Sequence, residues 1–127
     1  MEKIKLYQVD AFTNKLFGGN PAAVIILKNE IADELMQKIA LENNLSETAF
    51  VIKEENSFKI RWFTPLSEVD LCGHATLASA FVIFNYTEYS KSIIEFKSKK
   101  RGILSVEKSS DFYFLNFPSD NPIEIDI

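Results

Sequence analysis

The only cysteine and the only histidine of the chain stand two residues apart, in Cys72-Gly73-His74. An apolar helix pattern begins right after them, so all three fall at a helix start. Backbone N–H groups there have no helical partner, and the helix dipole favours an anion. Gly73 would let a ligand approach the backbone, and His74 could donate a hydrogen bond or shuttle a proton. A thiol at such a position has a lowered pKa and could serve as a base toward an acidic C–H. A second candidate is Glu47, set between Ser46 and Thr48 where a loop enters an apolar strand. An apolar wall raises a carboxylate's pKa toward the range useful for proton transfer. Gly18-Gly19-Asn20-Pro21 forms a turn that could present backbone to a ligand, without the Gly-Lys-Ser/Thr of a phosphate loop. Glu68 and Asp70, just ahead of Cys72, are a possible secondary carboxylate site. Each group also has a plain reading: a solvated strand-edge Glu, a helix-capping His, a small buried thiol, a tight turn and solvated loop charges.

The elements that must position these groups follow from the hydrophobic pattern. From Ala75 to Phe84 the helix is apolar on nearly every side, with His74, Thr76 and Ser79 as polar interruptions. A helix apolar all round must be buried, and this one is too short to span a bilayer. A second helix is predicted over 31–42, with an Ile31, Leu35, Met36, Ile39 stripe and Asn43-Asn44 as its stop. Strands are predicted at 3–13, 22–27, 46–52, 58–64, 92–97, 102–107 and 112–117. In the first, the apolar phase slips between Leu6 and Tyr7, which suggests a bulge or bend. The run at 22–27 suits a strand buried on both faces. In 58–64, Phe58, Ile60 and Trp62 alternate with Lys59 and Arg61, and a hairpin turn at Glu54-Glu55-Asn56 joins this strand to the one before. The strands follow one another as if in hairpins, not as a βαβ series. The fold class is α+β, with mostly antiparallel strands wrapped around a central buried helix.

Bulk properties narrow the function. At 127 residues the chain is one domain, 46% hydrophobic, with a net charge of −4 that leaves no basic footprint for nucleic acid. Lys97, Lys99, Lys100 and Arg101 read as a solvated turn. A single Cys excludes an internal disulfide, and with one His a metal site is not expected. Nothing resembles a signal peptide or a membrane span, so the default location is cytoplasmic.

The blocks YQVDAFT, FGGNPAAV, LSETAFV, RWFTP and EVDLCGHATLASA, in this order, closely resemble the first half of the phenazine biosynthesis PhzF-like proteins. The resemblance implies a diaminopimelate epimerase-like fold of two similar halves, each with strands around a central helix, and an active site in the cleft between them. It implies cofactor-free isomerisation of a small carboxylic acid. Glu47 would be the catalytic acid/base residue, and Asn20, Gly73 and His74 would bind the substrate. Epimerase relatives carry a catalytic thiol at the position of Cys72, although PhzF-like proteins lack its partner thiol. On this reading residues 1–117 are the domain, and 118–127 are a linker toward a second half that the chain does not contain. That half would come from another polypeptide or from a second copy in a homodimer. Two further readings stay open: an inactive half-domain that binds or dimerises, and a Cys72-based epimerase or racemase.

Overall fold

The computed structural model describes residues 4–10, 21–110 and 112–117. These form β1 (Leu6–Asp10), β2 (Pro21–Leu27), α1 (Asp33–Asn43), β3 (Glu47–Lys53), β4 (Phe58–Phe63), β5 (Glu68–Val69), α2 (Gly73–Tyr86), β6 (Ile93–Lys97), β7 (Ile103–Ser109) and β8 (Phe112–Asn116). One mixed sheet runs β1-β2-β3-β4-β6-β7-β8, with β5 also on β4, and curls into a half-barrel. The turn Gly18-Gly19-Asn20 and the segment 118–127 lie outside the described residues.

The expectation that the chain avoids βαβ connections is corrected. Strands β2 and β3 pair in parallel around α1, and β4 and β6 pair in parallel around α2 and the short β5. The signal was present in the sequence, since strands covered on both faces read as unbroken apolar runs. Both crossovers step the same way along the sheet, but β3 and β4 are antiparallel. Right-handed crossovers on oppositely directed strands put their helices on opposite faces. Burial agrees. Ala49 and Val51 of β3 join Ala75, Ala78 and Val82 of α2 in one core. Phe50 and Ile52, which point the other way, join Met36 and Ala40 of α1 in another.

Helix α1 stops as expected at Asn44, which adopts φ 53° and returns its N–H to the Ala40 carbonyl at 3.2 Å. Its stripe is rotated from the expected one: Met36 and Ala40 are buried, while Leu35 is exposed. The suspected bulge in β1 is also corrected, because Leu6 to Asp10 pair with Ile25 to Pro21 without interruption. The apolar phase slips because Leu6 faces solvent, whereas Tyr7 and Val9 face inward.

In β4 the expected alternation holds. Phe58, Ile60 and Trp62 are buried, and Lys59 and Arg61 lie on the other face, half-buried. Arg61 fastens three elements. Its Nε and Nη2 donate to the two Glu68 oxygens at 2.8 Å each, and its Nη1 donates to Asp33 at 2.8 Å. These bonds hold the carboxyls of Glu68 and Asp33 below the usual carboxylate range and raise the Arg61 guanidinium. Arg61→Met keeps the apolar stem and removes the fork, leaving Glu68 without its bidentate partner. The expected loss is about 2 kcal/mol by urea denaturation at pH 7. That difference should shrink on acidification, since the stabilisation is lost as pH falls through the depressed carboxyl pKa values.

Candidate active site

Glu47 is the first residue of β3, and its side chain lies on the same face as Ala49 and Val51, toward α2. Residue Cys72 is the N-cap of α2, in extended conformation with φ −145°, and Gly73 and His74 open the helix. Strand and helix therefore bring together residues far apart in the chain. His74 Nε2 lies 3.0 Å from Glu47 Oε2, and His74 Nδ1 lies 3.6 Å from Cys72 Sγ. The Nε2–Oε2 approach is close without forming a hydrogen bond. Both atoms are shielded from solvent and have no other partner among the described residues. Shielded polar atoms without partners are uncommon in folded proteins.

Of the two readings of the thiol, a helix-end base and a small buried group, burial favours the second. A helix N-terminus lowers a thiol pKa, but here burial dominates and pushes Cys72 up to about 11, and the Glu47 carboxylate adds to the rise. The Ala75 and His74 amides oppose this without completing a capping bond to the sulfur. At neutral pH the sulfur keeps its proton. A protonated thiol facing Nδ1 fits the imidazole tautomer that carries its proton on Nε2, toward Glu47.

The amides of Gly73, His74 and Ala75 precede the first helical bond, from Thr76 N–H to the Cys72 carbonyl at 3.1 Å, so they have no partner within the helix. The donor atoms of Glu47, Cys72 and His74 all lie within 4.8 Å of one another. These are the described residues that could hold a metal ion, and the thiol would first have to lose its proton. Asp70 is not part of this group; it is exposed, 3.7 Å from Lys100. Lys97, the last residue of β6, approaches Glu54 at 3.4 Å, and Lys99 in the exposed turn after it approaches Glu68 at 3.8 Å. Asn20 lies outside the described residues.

Two residues that the sequence reading did not single out for the site sit directly behind it. The indole Nε1–H of Trp62 donates to Thr76 Oγ1 at 3.0 Å, and Thr76 Oγ1 donates to the Cys72 carbonyl at 2.8 Å. The available signal was an inward-facing Trp on β4 and a polar interruption in an otherwise apolar helix.

The model of the family described as phenazine biosynthesis-like protein, PhzC-PhzF, matches residues 9–121. The chain belongs to this family. An uncharacterized isomerase of Pseudomonas aeruginosa is 49% identical over 123 residues, covering 97% of this chain and 47% of the relative. The crystal structure of a PhzF-family phenazine biosynthesis protein of Enterococcus faecalis superposes with a TM-score of 0.81 at 52% identity, covering 87% of this chain and 42% of that one. A predicted epimerase of Pseudomonas aeruginosa shares the fold, with a TM-score of 0.70 at 20% identity, covering 89% of this chain and 42% of that one. The PhzF-like chain thus spans about half the length of the curated relatives it matches. No helix among the described residues is long and apolar enough to cross a membrane.

Proposed function

We propose that this chain is the first half of an isomerase that moves a proton within a small carboxylic acid without a cofactor, with Glu47 as the acid/base residue. The observation that carries the reading is the 3.0 Å approach of Glu47 to His74 at the start of α2, with both facing atoms shielded and otherwise unpartnered. The substrate carboxylate would lie against the free amides of Gly73 and His74. Glu47 would take a proton from a carbon next to the conjugated acid, and the electron pair would move into the conjugated system toward the carboxylate. The helix-end amides and Nε2–H would stabilise the charge that develops. Glu47 would then return the proton at a second carbon. Asn20 would shape the pocket.

That half would be an α+β, diaminopimelate epimerase-like unit over residues 1–117, with α2 as its central helix and 118–127 as a connector. The opposite wall of the cleft would come from a complementary half or from a second copy of the chain, and it would exclude water. Cys72 is a poor base on this reading, since its thiol is still protonated well above neutral pH. Cys72→Ser should therefore leave proton transfer largely intact.

The test is deuterium uptake from solvent into a cyclic diene carboxylic acid, followed by NMR. The chain is assayed alone and with the complementary half of a relative. Uptake that is present in the parent and lost in Glu47→Gln supports the reading. Uptake unchanged in that variant overturns it, and uptake absent from the parent in both settings favours a binding module. Gly73 provides a second test. A Cβ at Gly73 would lie 3.6 Å from Leu115 Cδ2 and 4.0 Å from Phe117 Cζ, ordinary contact distances. Gly73→Ala is therefore expected to melt within a few degrees of the parent while slowing exchange by about 10-fold or more, because the methyl group covers the amides that would hold the carboxylate.

A further inference from the structure

We infer that Trp62 and Thr76 are positioning residues that hold His74 against Glu47. The inference rests on the reading that this pair does the chemistry. The direction of each hydrogen bond is fixed by chemistry. An indole nitrogen can only donate, so the Thr76 hydroxyl accepts from Trp62 and must spend its single proton on the Cys72 carbonyl. That carbonyl also accepts the Thr76 N–H at 3.1 Å. All three residues are buried, Trp62 at 1% and Thr76 at 0% relative exposure, with Cys72 at 9%. The burial keeps solvent from these bonds, and the hydroxyl's single proton is committed.

The placement gives the link its consequence. Trp62 lies on β4 directly across from Ala49 of β3, and Glu47 stands two residues before Ala49 on the same face. The indole thus fixes the first turn of α2, Cys72 to Thr76, to the strand pair that carries Glu47. Two elements that meet only through packing acquire a directed bond beside the gap that separates Glu47 from His74. Without it, α2 could slide or rotate slightly on an apolar surface that offers no directional resistance. Small misplacements of reacting groups lower rates steeply.

The chain has one His, so the His74 imidazole gives a single identifiable set of NMR signals. In the ligand-free chain, Glu47→Gln should displace these signals, because the two side chains face each other. If the Trp62–Thr76 link sets that approach, the displacement should fall to less than half in a Thr76→Val background. It should be restored in Thr76→Ser, which keeps the hydroxyl. Trp62→Phe keeps an aromatic ring but removes the donor together with part of the buried indole, so it should act like Thr76→Val and carries the test if that variant does not fold. A folded Thr76→Val or Trp62→Phe chain with the parent's full displacement overturns the assignment, as does failure of Thr76→Ser to restore it. The readout concerns the geometry of the ligand-free chain. It can succeed or fail whatever the deuterium-uptake experiment returns.

Discussion

Glu47→Gln is expected to lower deuterium uptake by about 10²–10⁴-fold, the usual contribution of a positioned acid/base group. The substitution preserves shape and leaves a carbonyl oxygen facing His74, 3.0 Å away in the parent. It removes the carboxylate's charge and with it the capacity to take up a proton. Cys72 could not compensate at neutral pH, since its thiol is protonated. His74→Asn, by contrast, should cost less, because the helix-end amides would still receive the developing charge. Melting temperatures of all three chains should lie close together, so the ratio of rates reports chemistry and not unfolding. The result that counts against the mechanism is a Glu47→Gln chain with the parent's uptake rate beside an inactive Cys72→Ser chain, which would move the reaction to the thiol.

The second large effect is on stability. Burial raises the Cys72 pKa from an ordinary 9.0 to about 11 in the folded chain. The unfolded chain gives up its thiol proton from pH 9 upward, whereas the folded chain holds it until about pH 11. Any stability tied to the neutral thiol is therefore complete below pH 9 and lost as pH rises toward 11. The displacement corresponds to roughly 2–3 kcal/mol. Urea unfolding at pH 8, 10 and 11 should show the parent losing about that much more than Cys72→Ala. The variant's packing defect is the same at every pH and cancels in the comparison. Equal pH dependence in the two chains would mean that the buried sulfur has no such role. Alkylation of Cys72 in the native chain at pH 8 should correspondingly be slower than that of a free thiol.

Local features were legible in the sequence where local physics decides them. Asn44 ends α1 because Asn tolerates the left-handed conformation. The alternation in β4 and the Glu54–Ser57 turn form because neighbouring residues dictate them. Cys72-Gly73-His74 does open a helix. Other features depend on partners distant in the chain. The meeting of Glu47 with His74 requires β3 and α2 to pack, and the residues alone gave no sign of it; only the family resemblance pointed there. The thiol had two readings, a helix-end base and a small buried group, because a helix end and burial act in opposite directions; in the folded chain burial dominates. The parallel pairing of β2 with β3 was missed although both runs are continuously apolar. A run of that kind fixes burial on two faces without naming the neighbour. In α1, Ile39 and Met36 pack inward as the stripe required, but Leu35 lies at its margin, where a rotation of a few tens of degrees decides exposure.

The strand covered on both faces has a consequence in time as well as in space. Residues Thr48 to Val51 of β3 are fully buried, with a helix on either side and a paired strand along each edge. Amides in such a strand exchange with solvent only when the whole domain opens. Glu47 is anchored at the end of that strand, one residue before the protected run begins. Its carboxylate therefore rides on the slowest-opening part of the molecule, and local fraying elsewhere would reach solvent many times before it disturbed the reacting pair.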